Sequence, residues 1–349
     1  MFPKQMTAYK PFQRQSGLSL IEIMIALVIA MLLLLGTMSM FTSNKRIYRE
    51  QDQMGRLQEN ARFAIELLVR DIRMAGYMGC ADDITEVTND VNNSATATNI
   101  LNFSDAVEGS ENAANWLPSN STDNVATMVA GSDGITVRYL DPLGIPVQPP
   151  YMPLVSAALQ ILANNALKQG EILAVSDCSS ADIFQISNTN PDTSGTIAHN
   201  TGAVVTPGNN TGNLSKTYGA NSQINRVISR RYFIGTGAGG GPSLFWSHIG
   251  GTEELIEGVE NMQILYGEDT SADSVADEFR TAANVANWDN VTSIRVALLL
   301  RSDIDTNIEP NTNTYYLLDV DDFDPTPVAD DRRRRRVVTT TVLIRNRDI

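Results

Sequence analysis

A long apolar run opens on the stretch Ser16-Gly17-Leu18-Ser19-Leu20-Ile21-Glu22 and reaches Phe41, with Glu22 as its one charged residue. The run covers 24 residues from Leu18, and a helix of that length measures about 36 Å, enough to cross a bilayer core of about 30 Å. A carboxylate at the centre of such a span costs about 2.5–3.5 kcal/mol, so chains that keep one use it against a partner charge. The run therefore predicts a transmembrane helix over 18–41 in which Glu22 has a role of its own.

The segment before the run has the composition of a short leader. Residues 1–17 carry two lysines, one arginine and no acidic residue, and they end on the small residue Gly17. A secretory signal peptide would place its cleavage site after the apolar run, among small residues. Here the run passes into Thr42-Ser43-Asn44-Lys45-Arg46 without such a site. The junction at Gly17 is therefore the better candidate for cleavage.

This junction carries a specific motif. Gly17 followed by Leu-Ser-Leu-Ile-Glu resembles the prepilin signature of type IV pilins and of the pseudopilins of type II secretion. The resemblance implies that a membrane peptidase cuts after Gly17, that Leu18 becomes a methylated N-terminus, and that Glu22 neutralises the N-terminal amine of a neighbouring subunit. Leu18 stands where the family usually has phenylalanine. A plain signal anchor is the alternative, and it needs the junction, the charges and the glutamate spacing to coincide by chance.

The rest of the chain is long enough for a separate folded body and is strongly acidic. The chain has 349 residues and a formal net charge of −14, which becomes −17 when the three cations of the leader are removed. Such a balance argues against nucleic acid as a partner, because phosphate binding depends on lysine and arginine. We expect residues 77–349 to form one large or two smaller lobes around a real core.

The helix is predicted to continue beyond the membrane span as an amphipathic segment over 42–76. Its apolar residues recur three, four or seven positions apart, which places one stripe against a globular body. The stripe consists of Ile47, Met54, Leu57, Ala61, Ala64, Leu68 and Ile72. No proline interrupts the 58 residues from Leu18 to Ala75, so a continuous helix of about 87 Å is permitted. Gly76 and Gly79 are expected to end it.

Short strand-like runs fill most of the remaining chain. They are 134–140, 171–176, 183–186, 227–234, 243–246, 259–266, 291–300, 315–318 and 337–344. Because no long helices separate them, the sheet is expected to be mainly antiparallel. The Ala/Leu-rich piece between Pro153 and Lys168 is a candidate short helix, and the polar stretches 85–132 and 186–223 are expected to be mostly loops.

Blocks spread over the chain resemble one pilin family. They are Asp71-Ile-Arg-Met-Ala-Gly-Tyr77 with Gly79-Cys80, Val175-Ser-Asp-Cys178, Leu255-Ile-Glu-Gly-Val-Glu-Asn-Met-Gln263 with Tyr266-Gly267, Ile294-Arg295 and Ile344-Arg345-Asn346. Together they resemble the minor pilins of the PilW family, and the type II secretion pseudopilin GspJ shares the general plan. The expected fold is α+β and type IV pilin-like, with a long N-terminal helix packed on a mainly antiparallel β-rich body.

Cys80 and Cys178 are the two cysteines of the chain. Positive charge in a leader stays in the cytoplasm, so the body faces away from it, where disulfides persist. A Cys80–Cys178 bridge would close a loop of about 100 residues and contribute about 4–5 kcal/mol. Two separate buried thiols remain the alternative. No metal is expected, because a metal site needs more ligands than two cysteines and two distant histidines supply.

Little in the sequence points to catalysis or to a cofactor. His199 and His248 are the two histidines, and both are expected at the surface or in turns because they lie among Gly, Asn and Ser. Gly235-Thr-Gly-Ala-Gly-Gly240 matches a dinucleotide fingerprint, yet it precedes Pro242 and another strand, whereas that fingerprint must open a helix. It is predicted to be a hairpin loop. We therefore expect no enzymatic activity and no cofactor.

An acidic and a basic stretch adjoin near the C-terminus. The carboxylates within Asp319–Asp331 lack the glycine and the final glutamate of an EF-hand loop, so a solvated acidic loop is favoured over a calcium site. The run Arg332–Arg336 begins the last predicted strand, where basic residues guard an exposed edge. The two stretches are also expected to neutralise each other.

These observations favour a minor pilin of a type IV pilus. The size of the chain, well above what a repeated fibre subunit needs, favours few copies. The resemblance implies a place in a tip or initiation complex and contact with prepilin peptidase, the inner-membrane assembly platform, other minor pilins and the major pilin. Before assembly the chain would cross the inner membrane once with its body in the periplasm, and afterwards it would lie in the pilus at the cell surface. A GspJ-like pseudopilin and a membrane-tethered adhesin displaying Asn/Thr-rich loops are the alternatives.

Overall fold

The computed structural model describes Gly17 and residues 19–79, 87–92, 100–111, 128–202, 205–305, 309–318, 320–323 and 331–346. The chain divides into two compact units, Met1–Asp52 and Gln53–Ile349. The predicted long helix is present as α1, which begins at Leu20 and ends at Met74. Leu18, where the helix was expected to begin, lies outside the described residues.

In the first unit, the described chain after Ser19 is helical and its large apolar side chains are exposed. From Leu20 to Phe41 these side chains have exposed fractions between 48% and 78%. In the part of the chain that the structure describes, α1 is the one helix long and apolar enough to cross a membrane, with a mean hydropathy of 2.7 in its most apolar window. A helix that is apolar all round is typical of a membrane span.

In the second unit, α1 buries one face against the body. The buried residues recur at helical spacing, as one continuous stripe requires. They are Gln53, Leu57, Ala61, Ala64, Leu68, Asp71 and Ile72. The predicted apolar stripe is confirmed from Leu57 onward, whereas Ile47 is exposed because burial of the helix begins only at Gln53. Asp71 is an acid on the buried face.

The body is built from short strands, of which sixteen are described. In chain order they are β1 Val87–Asn89, β2 Val107–Ser110, β3 Gly134–Pro146, β4 Leu159–Gln160, β5 Ile172–Asp177, β6 Ser180–Gln185, β7 Thr196–Ile197, β8 Gln223–Thr236, β9 Pro242–His248, β10 Gly251–Glu257, β11 Val259–Glu268, β12 Glu278–Arg280, β13 Val291–Arg301, β14 Tyr315–Leu317, β15 Val320–Phe323 and β16 Arg335–Leu343. A four-residue helix, α2, spans Pro191–Ser194.

Two main sheets organise these strands. The larger has the order β1-β6-β5-β8-β3-β2, with β9 paired to β8 and β10 to β9, and the smaller has the order β12-β11-β13-β16. Strands β14 and β15 form a separate hairpin, and β4 pairs with β7. Among the described pairs of strands, β1 and β6 are parallel and the others are antiparallel. The predicted α+β fold with a mainly antiparallel body is therefore confirmed.

The core lies between α1 and the two sheets. Leu68 and Ile72 of α1 belong to the same buried cluster as Val137 of β3, Ile264 of β11 and Leu298 of β13. These side chains are each fully buried, and burial of one such side chain contributes about 1.5–3 kcal/mol. The apolar stripe of α1 thus packs against both sheets.

The prediction of a short helix between Pro153 and Lys168 is wrong. Asn164 and Ala166 each have a φ of 63°, a left-handed conformation that a right-handed helix does not admit. Leu159 pairs with Ile197 across β4 and β7 instead. Its apolar residues therefore pack as part of a β-rich cluster with Phe184. Strands β4, β7, β10, β12 and β15 lie outside the predicted strand runs.

The glycine-rich loop and the last strand agree with their predictions. Residues Gly235–Gly240 lie in the hairpin that joins β8 to β9, where Thr236 pairs with Pro242. Strand β16 is the end strand of the smaller sheet. The segment that matches the dinucleotide fingerprint is therefore a turn between antiparallel strands, as predicted.

Candidate functional site

The N-terminal end of α1 carries a capping box. The backbone N–H of Ser19 donates to Glu22 Oε2 at 3.0 Å, and the hydroxyl of Ser19 lies 3.2 Å from the same oxygen. In return, the backbone N–H of Glu22 donates to Ser19 Oγ at 3.3 Å. This reciprocal pair satisfies backbone donors that a helix leaves free at its N-terminus. The Glu22 carboxylate therefore has a local partner while it stays exposed.

Gly17 is open to its surroundings. It is exposed, and among the described residues no atom lies within 4 Å of the position that a Cβ would take. An enzyme can reach such a residue without displacing a neighbouring side chain. Leu18, the predicted mature N-terminus, is outside the described residues, so its methylation stays a prediction.

A second site, which the sequence pattern did not indicate, lies at the C-terminal end of α1. The fully buried carboxylate of Asp71 accepts hydrogen bonds from Arg230 Nη1 at 2.9 and 2.7 Å and from the Tyr232 hydroxyl at 2.6 Å. The Tyr139 hydroxyl donates at 3.1 Å and Arg70 Nε at 3.3 Å. One acid thus fastens α1 to β3 and β8.

The charges of this cluster are arranged so that the ion pair persists. Burial and the charge of Asp71 raise the pKa of both Tyr139 and Tyr232, so the two phenols stay protonated donors. Burial alone would lower the pKa of Arg230, but its hydrogen bond to Asp71 and the charge of that acid raise it. The Arg230 guanidinium also lies 4.3 Å from the centre of the Trp246 ring, which extends the cluster to β9.

The C-terminal residues close over the same end of α1. Gly76 has a φ of +78°, and a Cβ there would lie 2.9 Å from the carbonyl oxygen of Asn346. The backbone N–H of Gly76 donates to the carbonyl of Arg138 at 3.0 Å. The side-chain amide of Asn346 donates to the carbonyl of Arg73 at 3.4 Å. A glycine is needed at 76 because the chain turns left-handed where another backbone segment approaches.

The predicted Cys80–Cys178 bridge lies partly outside the described residues, because Cys80 is not among them. Its neighbour Gly79 packs on β5, since a Cβ on Gly79 would meet Ser176 Oγ at 2.7 Å. Cys178 follows Ser176 in the turn between β5 and β6. The backbone on both sides of the proposed bridge is therefore close together, which supports the pairing as a proposal.

We expect Cys80→Ser to lower the free energy of unfolding by about 4 kcal/mol, because the bridge restricts a loop of about 100 residues in the unfolded chain. Native protein digested without reduction should yield one linked peptide that contains both cysteines. Cys178→Ser is the matched control, and it should lower stability by the same amount, with no further loss in the double variant. Two thiols that alkylate in native protein would contradict the pairing.

The surface position expected for His199 is wrong. Its exposed fraction is 2%, its Nε2 lies 3.0 Å from the carbonyl of Ala157, and burial lowers its pKa, so the ring is neutral at pH 7. His248 lies in the β9–β10 hairpin, 3.4 Å from Glu253. Among the described residues, no group of three or more His, Cys, Asp or Glu side chains has the geometry to hold a metal ion.

Most of the acidic loop Asp319–Asp331 lies outside the described side chains, but its last residue is placed. Asp331 pairs with Arg335 and, at 3.5 Å, with Arg333. Arg335 also donates to Glu260 at 2.6 and 3.0 Å, and its side chain is only 2% exposed. The expected neutralisation of the two stretches is confirmed at this point. The basic run was expected to be exposed. That prediction is wrong at Arg335, because its side chain is buried in ion pairs with Glu260 and Asp331.

Two family models match the chain, one at each end. A prokaryotic N-terminal methylation motif matches residues 12–38, which include Gly17 and Glu22. A model described as Type IV Pilus-assembly protein W, PilW, matches residues 231–346, from within β8 to the cap over the end of α1. No curated protein and no solved structure matches the chain.

The first match covers the capping box and the start of the exposed apolar helix, so this end of the chain carries a pilin-type methylation motif on a helix long and apolar enough to cross a membrane. The second covers Tyr232 of the Asp71 cluster and Asn346 of the cap over α1. Taken with the α+β fold, the two matches support a PilW-type pilin of the type IV pilus system.

Proposed function

We propose that the protein is a low-copy minor pilin that enters a type IV pilus at a tip or initiation complex. Prepilin peptidase cuts it after Gly17, Leu18 becomes the methylated N-terminus, and Glu22 pairs with the N-terminal amine of a neighbouring pilin. Its role is structural rather than catalytic. The observation that carries the proposal is the exposed Glu22 carboxylate at the start of an exposed apolar helix.

The exposed apolar surface of α1 needs a cover. An apolar surface that extends all round a helix is stable only in lipid or against other apolar helices. In lipid the Glu22 charge is costly unless a cation sits beside it. A bundle of pilin helices supplies both, because each neighbour brings an apolar surface and a positively charged N-terminus. Assembly therefore covers the apolar surface of the helix and neutralises the charge of Glu22 at the same time.

The basic leader and the apolar helix together favour one route into the pilus. The basic leader stays in the cytoplasm, so the body would lie in the periplasm of a cell with an inner membrane before assembly. From there the helix passes sideways to an assembly platform, other minor pilins and the major pilin. The large body, carrying most of the 349 residues, favours few copies over a repeated place in the shaft.

We expect a small amount of the full-length protein in sheared pili, far below the amount of the major pilin. Quantitative mass spectrometry of the sheared fraction measures this ratio, with an inner-membrane protein that has no prepilin motif as the purification control. A ratio close to one would make it a shaft subunit instead. Absence from sheared pili with recovery in a secretion pseudopilus would favour the GspJ-like alternative.

A further inference from the structure

Two buried acids lie at the larger sheet, outside the residues that match the methylation motif. Asp182 of β6 is fully buried, and Asp90, just after β1, is 7% exposed. The backbone N–H of Asp90 donates to the carbonyl of Ile183 at 2.9 Å, which holds the two acids on neighbouring strands. Among the described residues, Asp90 Oδ2 and Asp182 Oδ1 are buried oxygens without a hydrogen-bond partner.

Such a pair needs compensation. Each acid keeps one buried oxygen without a hydrogen-bond partner, and a buried carboxylate that is incompletely paired either takes up a proton or binds a cation. The cationic side chain nearest along the covering loop, Lys216, pairs with Asp177 at 2.6 Å instead. His199 and Tyr218 face Asp182, but burial lowers the pKa of His199 and raises that of Tyr218, so both are neutral at pH 7.

A polar loop closes over the two acids. At one end, Asn209 accepts a hydrogen bond from the backbone N–H of Gln185 at 2.6 Å. At the other, Ser215 donates to Asp182 Oδ2 from its backbone N–H at 3.0 Å and from its hydroxyl at 2.8 Å. Between them, the backbone N–H of Asn210 donates to the carbonyl of Asp90 at 2.6 Å. The loop 209–215 is therefore hydrogen-bonded to β6 at Asp182 and Gln185 and to the chain after β1 at Asp90.

We propose that Asp90 and Asp182 hold one calcium ion beneath the loop 209–215. Calcium binds six to eight oxygen atoms in flexible geometry and accepts carboxylates together with amide and carbonyl oxygens. The two acids supply the charge, and the sequence Asn-Asn-Thr-Gly-Asn-Leu-Ser of the loop is rich in neutral oxygen donors. This set is distinct from a cluster of three acids or histidines, and it favours a hard, oxygen-binding cation over zinc.

The competing occupant is a proton. Burial and the charge of Asp182 raise the pKa of Asp90 from 3.8 to about 6. Between these values the folded chain binds more protons than the unfolded chain, so without a cation stability falls as pH rises from about 4 to 6. Calcium would remove that loss above pH 6, because it binds the ionised acids in the folded state only.

The test uses full-length protein in detergent, stripped with a chelator. At pH 7.5, 1 mM calcium should raise the melting temperature by about 3 °C or more. Asp182→Asn should abolish this shift, and Asp90→Asn is the second variant should the first not fold. Asp141→Asn, the same change at an exposed position on β3, is the matched control and should keep the full shift.

Two results would overturn the proposal. The first is a melting temperature that does not respond to calcium while it rises on acidification from pH 7 to 5, which would assign the site to a shared proton. The second is a calcium shift that survives both Asp182→Asn and Asp90→Asn, which would place the ion elsewhere, such as the acidic loop before Asp331. Isothermal titration of the stripped protein should show one calcium ion per chain.

Discussion

Glu22→Gln is expected to leave the protein stable, membrane-bound and processed after Gly17, but absent from sheared pili. Glutamine keeps the capping box with Ser19, because an amide can also reach back to the N-cap backbone N–H. It removes only the charge. If that charge pairs with a neighbour's N-terminal amine, the change leaves a buried ammonium uncompensated, at a cost of about 3–5 kcal/mol.

Ser19→Ala is the complementary control. It removes the hydroxyl that accepts from the Glu22 backbone at 3.3 Å, while it keeps the carboxylate. Loss of an N-cap costs about 0.5–2 kcal/mol, so incorporation should be reduced far less than in Glu22→Gln. Both variants are measured by immunoblot of membrane and sheared-pilus fractions. Normal incorporation of Glu22→Gln would refute the pairing role, and equal loss in the two variants would assign Glu22 to helix capping.

Asp71→Ala is expected to destabilise the body by about 3–5 kcal/mol, because it leaves Arg230 without its acid partner in a largely buried position. The side chain of Arg230 is only 17% exposed, and Tyr232 loses its acceptor in the same change. Tyr232→Phe removes one hydrogen bond to a charged group and should cost about 1.5–3 kcal/mol. Chemical denaturation of the full-length protein in detergent measures both values.

Glu66→Ala is the matched control on the same helix. Glu66 is exposed and lies 3.7 Å from Arg62 one turn away, and such a surface pair contributes about 0.3–0.5 kcal/mol. The change should therefore be nearly neutral. An Asp71→Ala variant as stable as Glu66→Ala would show that the buried pair does not hold α1 to the body.

Local pattern was enough to predict the elements that positioned the first site. The apolar run after Gly17 predicts a helix because twenty and more apolar residues have one stable form in lipid. The stripe from Leu57 to Ile72 is likewise a local period, and most strands follow from short β-branched runs. The capping box is itself a four-residue pattern, Ser19 to Glu22, which could have been recognised before the structure was known.

The Asp71 cluster could not be found in this way. Asp71 and Arg230 are 159 residues apart, and an acid on the apolar stripe is indistinguishable from a solvated one until the strand that carries Arg230 is placed beside it. His199 and Arg335 differ from their predictions for the same reason, since their burial depends on partners distant in the chain. The helix predicted for 153–168 was wrong because composition alone does not reveal a left-handed backbone.

Cleavage after Gly17 decides whether this chain acts as a pilin, and the mass of its mature N-terminal peptide tests this most directly. Protein purified from cells with an active prepilin peptidase should yield a peptide that begins at Leu18 and carries one methyl group, whereas Gly17→Ala should largely keep residues 1–17. An unprocessed wild-type chain, or a mature chain cut after the apolar run that ends at Phe41, would contradict the account.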